Sequence, residues 1–351
     1  MKLAVGYQLP GETGLNFVDA VAKYRHHIAE VYFPWMDFRT CRASLGERDG
    51  YVDWAVQETL EADLKALKGM GVKLDILFNA NCHGQESLSG RLANQISSIL
   101  DHLGERLGGV EIATTASPAI AHVIKRGFPG IEVRASVNMR IGTVKGMQYL
   151  ADLFDSFHLQ REFNRDFERI KDLKSWADAN GKRLVMLANS GCMAHCSAQT
   201  FHDNLVAHEA EIAGMKNIPD WNQHACWRYL KQRENWESIL QNTWVRPEDL
   251  HRYGPFFNLV KLATRMHFNP AMVIRAYATG KYDGNLLDLC EPGFGPAFHP
   301  WIIDNSRFPA DWFEKTSSCS KKCELCDYCK SVLAQVLVNV EATPAVVTRR
   351  P

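Results

Sequence analysis

Two groups of closely spaced cysteines are the residues in this chain most able to do chemistry. The first lies in "VMLANSGCMAHCSAQTFHDNLVAHE", residues 185–209, where Cys192 and Cys196 form a C-x3-C pair. Cys226 follows downstream in "HACWRYL". We call Cys192, Cys196 and Cys226 the loop cysteines. Three thiolates suit an iron–sulfur cluster or zinc, because both are soft enough to prefer sulfur.

The second group lies near the C-terminus in "CSKKCELCDYC" and is denser than the first. Its members, which we call the tail cysteines, are Cys319, Cys323, Cys326 and Cys329. Their C-x3-C-x2-C-x2-C spacing predicts a [4Fe–4S] cluster, or a structural zinc as the alternative. The first three also have the spacing of radical S-adenosylmethionine enzymes. That motif usually follows the first strand of a barrel, so we treat a radical enzyme as a minority interpretation.

The loop cysteines leave two further chemistries open. Cys290, in "DLCEPGFG", is a candidate fourth thiolate, and without a fourth ligand one iron would be open to substrate or water. Alternatively, one loop cysteine acts as a nucleophile, since a low-pKa thiol beside a base has peptidase chemistry. The histidines close in sequence that are available as that base are His195, His202, His208 and His224.

Alternating segments along the chain predict the scaffold that positions these residues. Short Val-, Ile- and Leu-rich segments alternate with longer amphipathic segments, which favours a (β/α)8 TIM-like barrel. The eight predicted strands begin at Lys2, Ala29, Val72, Gly109, Ile131, Phe154, Arg183 and Phe257. No G-x-G-x-x-G motif follows the first, which argues against a dinucleotide-binding sheet. We expect a barrel over residues 1–285 and a cysteine-rich extension over 286–351 that wraps it.

Polar residues follow several of the predicted strands. Barrel enzymes place their active sites at the C-terminal strand ends, where the loop after the seventh strand also carries Cys192 and Cys196. Arginines can pair with a carboxylate or phosphate through two hydrogen bonds. We therefore predict a site for a small or nucleotide-like anionic substrate, formed chiefly by Asn138, Arg140, His158, Lys261 and Arg265.

Composition excludes several classes of protein. The chain has 351 residues and a formal net charge of zero, which does not suggest a protein that coats nucleic acid or an anionic membrane. It has no apolar stretch long enough to span a bilayer, and its N-terminus lacks a signal-peptide pattern. We expect a cytoplasmic protein, in which ten cysteines are better explained by metal binding than by disulfides.

Two segments late in the chain resemble the collagenase-like peptidase family U32. In "VKLATR", Lys261 and Arg265 match the ends of the family's Lys-Ile-Glu-Gly-Arg segment, although Ala263 and Thr264 replace its Glu and Gly. In "NPAMVIRAYATGKYDG", the Ala-Tyr pair at 276–277 matches the following helix. The cysteine-rich loop ahead of these segments is similar too, but its spacing differs. The resemblance spans roughly residues 3–285.

The resemblance implies two activities. Family members were first named as peptidases of unknown catalytic type, whereas several look like [4Fe–4S] proteins that hydroxylate ubiquinone precursors or RNA bases without oxygen. We predict the second: an iron–sulfur enzyme with two [4Fe–4S] clusters. Such an enzyme is compatible with an electron-donor protein as partner and with assembly into a hetero-oligomer. The alternatives are a cysteine peptidase and a non-catalytic assembly partner whose metals fix the fold.

Overall fold

Eight parallel strands form the centre of the protein. The computed structural model describes residues 1–10, 16–36, 38–42, 45 and 53–341. The strands are β1 (Lys2–Gly6), β2 (Ile28–Pro34), β3 (Lys73–Phe78), β4 (Ile112–Thr115), β5 (Glu132–Ala135), β6 (Ser156–His158), β7 (Arg183–Leu187) and β8 (Leu259–Lys261). Each pairs with the next, and β8 pairs with β1, so the barrel is closed. The predicted (β/α)8 fold is confirmed.

Several strands are shorter than the apolar segments that predicted them. β6 and β8 have three residues each. The polar ends of the predicted segments instead form loops or single 3-10 turns, such as Val137–Met139 after β5. A side chain at such a position leaves the barrel wall, and this decides which predicted site residues reach a common space.

Helices connect the strands and cover the outside of the barrel. They are α1 (Phe17–Lys23), α2 (Trp54–Gly69), α3 (Gly90–Leu107), α4 (Pro118–Gly127), α5 (Val144–Gln148), α6 (Phe167–Ala179), α7 (Gln199–Ala207), α8 (Glu209–Ala213), α9 (Ala225–Leu230), α10 (Pro270–Thr279), α11 (Gly295–Phe298), α12 (Trp312–Ser317) and α13 (Tyr328–Val336). In α3, the Ser89 hydroxyl accepts a hydrogen bond from the Leu92 N–H, and the left-handed Gly108 ends the helix.

The segment after residue 285 is more structured than the wrapping chain that its irregular sequence predicts. It contains two strands, β9 (Trp301–Ile303) and β10 (Leu337–Asn339), which pair antiparallel. Apolar residues such as Phe298, Trp312 and Val336 are buried in the same core as the barrel helices. The division of the chain into two units at residue 285 remains a prediction, and residues 342–351 of the predicted extension lie outside the described residues.

Charged side chains fill part of the barrel interior. Glu30, Asp75, Arg134, His158 and Lys261 are all buried, and each lies on a strand. Burial of this many ionisable groups is unfavourable unless they pair with one another.

No helix in the described part of the chain combines the length and apolarity needed to cross a membrane.

Candidate functional site

The loop that carries Cys192 and Cys196 lies at the C-terminal end of the barrel, where the sequence predicts it. Asn189, just after β7, fixes the start of this loop. Its side-chain amide donates hydrogen bonds to the carbonyl oxygens of Ala263 (2.9 Å) and Leu289 (2.8 Å), and its Oδ1 accepts one from the Ala263 N–H (2.6 Å). One side chain therefore joins three separate segments at the end of the barrel.

Gly191 brings the same loop against the C-terminal segment. Its N–H donates to the carbonyl oxygen of Glu291 at 2.9 Å. A Cβ on Gly191 would lie 2.0 Å from the carbonyl oxygen of Pro292, so this close approach requires glycine. On its other side, the carbonyl oxygen of Gly191 accepts a hydrogen bond from Asn242 Nδ2 at 2.8 Å. The residue before Cys192 is thus held from both sides.

The three loop cysteines line one cavity of about 270 Å³. Cys226, on α9, reaches this cavity although it lies thirty residues after Cys196 in the chain. Burial raises the pKa of the Cys226 thiol, and the nearby Cys192 and Cys196 raise it further. The structure therefore brings together the three thiols that the sequence predicted as one site.

Cys290, the candidate fourth ligand, does not line that cavity. It lines a neighbouring cavity of about 560 Å³, which it shares with Cys192. Its Sγ lies 3.7 Å from the carbonyl oxygen of Leu286, within hydrogen-bond distance. Burial, followed by the charge of Asp288, raises the pKa of the Cys290 thiol to about 12.

Two histidines lie beside the loop cysteines. His202 and His224 line both cavities, and their rings meet edge to face with centroids 4.8 Å apart. Burial lowers the pKa of His202, and the nearby His224 lowers it further. A neutral imidazole can act as a metal ligand or a base. Both histidines line the cavity of the loop cysteines and are candidates for either role.

The donor set suits an iron–sulfur cluster with one open position. Three thiols face one cavity, and soft sulfur ligands select iron–sulfur clusters or zinc. Within the described ranges, no three His, Cys, Asp or Glu side chains are already arranged to hold a single ion. The residues that would hold a cluster are the loop cysteines; His202 and His224 line the same cavity, and Cys290 does not.

Charged residues that the sequence analysis did not single out also line these cavities. Arg42 lines both, and its Nε donates to Glu291 Oε1 at 3.2 Å. Burial opposes the charge of Arg42, but the neighbouring Cys41 and Glu291 outweigh burial and raise its pKa. Arg161 lines the cavity of the loop cysteines. The signal available in the sequence was the position of Arg42 and Cys41 shortly after the second strand.

All five predicted catalytic residues are described, and all five lie outside these two cavities. His158 and Lys261 are in the barrel interior. The Lys261 ammonium lies 3.9 Å from the centre of the Tyr32 ring, and burial lowers the pKa of Lys261. His158 Nδ1 lies 2.9 Å from the Ala135 carbonyl oxygen, and its Nε2 is buried without a partner. Burial, Lys261 and Arg134 hold the pKa of His158 well below its usual value.

The other three predicted catalytic residues occupy separate places. Arg265 is buried with its guanidinium 3.4 Å from Thr40 Oγ1. Arg140 donates to Thr200 Oγ1 at 3.1 Å and lies 3.4 Å from Asp203 Oδ2, so it is held against α7. Asn138 is half-buried, and its Nδ2 has no partner among the described residues. The five residues that were predicted to form one site are therefore divided into several groups.

The tail cysteines are mainly on the surface. Cys319, Cys323 and Cys326 are exposed, and Cys329 is half-buried. Burial raises the pKa of Cys329 to about 11. Arg165 opposes this shift, and the other three tail cysteines add to it. The charges of the other three thiols therefore act on Cys329, although within the described part of the chain no three of these side chains are arranged to hold a single ion.

Comparison with known proteins supports the family resemblance. No family model matches the chain. An uncharacterized protease of Methanocaldococcus jannaschii, MJ1657, is 25% identical over 288 residues, which are 80% of this chain and 82% of that protein. The solved structure of the U32 peptidase Mk0906 is 16% identical, covers 75% of this chain and 92% of its own, and has a TM-score of 0.53. The structural likeness is one of fold.

Proposed function

We propose that this chain, whose resemblance to the U32 peptidases is supported by sequence and by fold, is an iron–sulfur oxidoreductase. The observation that carries the proposal is the convergence of the three loop cysteines on one cavity at the C-terminal end of the barrel. The reaction type that we propose is an oxygen-independent hydroxylation. In it, water supplies the oxygen, and the substrate loses two electrons and two protons.

A cluster held there by three thiolates would supply one-electron chemistry and an open coordination position. The chain's own residues supply the groups that bind the substrate. Arg42 and Arg161 line the same cavity and favour an anionic, nucleotide-like or carboxylate substrate, because guanidinium groups bind these anions bidentately. Glu291 holds the Arg42 side chain through its 3.2 Å contact.

Deeper in the barrel, His158 and Lys261 are buried and lie outside the cavity of the loop cysteines. Burial lowers the pKa of both side chains, so each favours its neutral form more than it would in water. The buried Nε2 of His158 has no hydrogen-bond partner among the described residues and has a lone pair or proton to offer.

A peptidase is the second candidate, and the printed name of the archaeal relative favours it. Cys192, His202 and His224 line one cavity, so a thiol and two bases are near each other. A cysteine nucleophile also needs a third group that orients its base. Here the two imidazoles contact each other edge to face, and the thiols of Cys196 and Cys226 line the same cavity as Cys192. This arrangement favours metal binding over nucleophilic catalysis.

Metal analysis of protein purified without oxygen tests the proposal. Iron, sulfide and zinc are measured together with electron paramagnetic resonance on the wild type, on Cys192→Ser/Cys196→Ser and on Cys323→Ser/Cys326→Ser. Cys82→Ser is the matched control, because Cys82 is a half-buried cysteine that lines neither cavity. We expect the Cys192→Ser/Cys196→Ser variant to lose iron and sulfide that the Cys82→Ser variant keeps.

Two results would overturn the proposal. An iron-free protein that cleaves peptides would establish the peptidase. Zinc at the tail cysteines with no iron at the loop cysteines would leave an assembly partner whose metal only fixes the fold.

A further inference from the structure

Three aromatic rings form a stack that begins beside the tail cysteines. The ring of Tyr328, next to Cys329 in the chain, stacks on Trp312 with centroids 6.2 Å apart and planes 18° apart. Trp312 stacks in turn on Trp244, with 5.9 Å between centroids and 16° between planes. Both tryptophans are buried. The stack therefore runs from the tail cysteines at the surface into the interior.

The buried side chain of Arg165 holds this stack together. Its guanidinium carbon lies 4.4 Å from the centre of the Trp244 ring and 5.2 Å from that of Trp312. The same group donates hydrogen bonds to the carbonyl oxygens of Leu240 (2.8 Å) and Trp244 (2.7 Å). Lys321, which lies between tail cysteines, donates to the carbonyl oxygen of Arg165 at 3.3 Å. The tail is thus attached directly to the residue that orders the rings.

The inner end of the stack leads to the loop cysteines. Trp244 is two residues after Asn242, which is also buried. Asn242 Nδ2 donates the 2.8 Å hydrogen bond to the carbonyl oxygen of Gly191, the residue before Cys192. A route of stacked rings, two backbone units and one hydrogen bond therefore connects Cys329 with Cys192, with every residue between Trp312 and Gly191 buried.

We propose that the Tyr328–Trp312–Trp244 stack, continued by Asn242 and Gly191, is an electron path between a metal cluster on the tail cysteines and one on the loop cysteines. This inference rests on the proposed function, because it needs iron at the loop cysteines. In each transfer, the cluster at the loop cysteines loses one electron and the cluster at the tail cysteines gains it. The tail then passes the electron to a one-electron acceptor protein. This acceptor takes the place of the electron-donor protein that the sequence analysis predicts, because a hydroxylation by water releases electrons. Two such transfers match the two electrons of the hydroxylation.

Burial explains why a path is needed. The cavity of the loop cysteines has a volume of about 270 Å³ and cannot admit a protein. Three tail cysteines are exposed and accessible to one. Separate sites for substrate and for the redox partner then keep the partner away from the substrate.

The rate at which each cluster is oxidised in a single mixing experiment on the full chain tests the path. Protein loaded with iron and sulfide is reduced with dithionite, and the excess dithionite is removed. The reduced protein is then mixed with oxidised cytochrome c in the absence of oxygen. Rapid freeze-quench electron paramagnetic resonance then follows the signals of the two clusters, which the cysteine variants assign. The variants are Trp312→Leu and Tyr328→Leu, with the conservative Trp312→Phe and Tyr328→Phe. Trp236→Leu is the matched control, because Trp236 is buried and stacked on Phe298 (4.3 Å) outside the path.

In the two leucine variants, we expect the tail cluster to be oxidised at the wild-type rate and the loop cluster at least an order of magnitude more slowly. Both phenylalanine variants and Trp236→Leu should behave as the wild type. Loop-cluster oxidation at the wild-type rate in both leucine variants, or in Cys323→Ser/Cys326→Ser, overturns the path. Zinc at the tail with iron at the loop also overturns it and leaves the proposed function intact, whereas absence of iron from the loop defeats both.

Discussion

Arg134 on β5 and Glu30 on β2 form a two-point ion pair across the interior of the barrel. The Arg134 guanidinium donates to the two carboxylate oxygens of Glu30 at 2.6 and 3.1 Å. It also donates to Glu132 at 3.0 Å and lies 3.5 Å from Asp75. Arg134 therefore contacts three carboxylates, of which Glu30 and Asp75 are buried. Arg183 also pairs with Glu132, and Lys261 lies near Asp75.

Arg134→Met should destabilise the fold by about 3–5 kcal/mol, because the carboxylates would remain buried without their partner. Urea unfolding gives the free energy. As a control, Arg252→Met breaks a half-exposed pair with Glu314 (3.1 Å) and should cost at most about 1 kcal/mol. Equal losses of unfolding free energy in the two variants would show that the interior ion pair stabilises the fold no more than the surface pair does.

The barrel itself was predictable from the sequence because its strands have a local signal. Each strand is a short apolar segment, and the sequence predicts all eight. The strand β9 was not located, because its partner β10 lies more than thirty residues later and the intervening sequence has no periodicity. Pairing between distant segments leaves no pattern in either of them.

The pH dependence of stability should reveal Asp75. Burial raises the pKa of this carboxyl to about 6, although Arg134 and Lys261 oppose the shift. Between about pH 4 and pH 6, the folded protein holds a proton that the unfolded chain has lost, so this contribution to stability is present at low pH and disappears as the pH rises through 6. Asp75→Asn removes the dependence.

Relative to the wild type, the unfolding free energy of Asp75→Asn should therefore rise by about 2 kcal/mol between pH 4 and pH 7. Urea unfolding of both proteins across this range gives the difference. A difference that stays constant or falls with pH would contradict a raised pKa.

The candidate site was predictable only in part. Cysteine spacing identified the loop and tail cysteines, since spacing is a property of the chain. The rule that polar strand ends meet at one opening grouped Arg140 with Lys261. In the structure Lys261 lies inside the barrel, whereas Arg140 is held outside by Asp203. Whether a strand ends before or after a residue decides where its side chain points, and the sequence leaves that end uncertain by several residues.

Gly191→Ala should separate the loop of Cys192 from the C-terminal segment. The added methyl group would meet a backbone carbonyl oxygen at 2.0 Å, so one of the two segments must move. We expect a loss of about 1–3 kcal/mol in urea unfolding and a lower iron content. Gly104→Ala is the matched control: nothing lies within 4 Å of the new methyl in α3, and the change should stabilise by about 1 kcal/mol. Equal effects at both positions would refute the close approach.

Alkylation of the metal-free protein should distinguish Cys290 from the exposed cysteines. With its pKa raised from 9.0 to about 12, Cys290 has a thiolate fraction about a thousandfold lower than an ordinary thiol at the same pH, and its side chain is buried. Pulsed iodoacetamide labelling followed by mass spectrometry should therefore modify exposed Cys319 long before Cys290. In urea the two should react alike, which serves as the control.

Loading with iron and sulfide extends this measurement to the ligands themselves. Coordination removes a thiolate from reaction, so Cys192, Cys196 and Cys226 should become protected together. Protection of Cys226 without the other two would mean that the three thiols of the cavity do not share one cluster. Cys290 is slow in both states if burial alone shields it. Labelling of Cys290 as fast as that of Cys319 in the metal-free protein, lost on loading, would instead make it the fourth ligand.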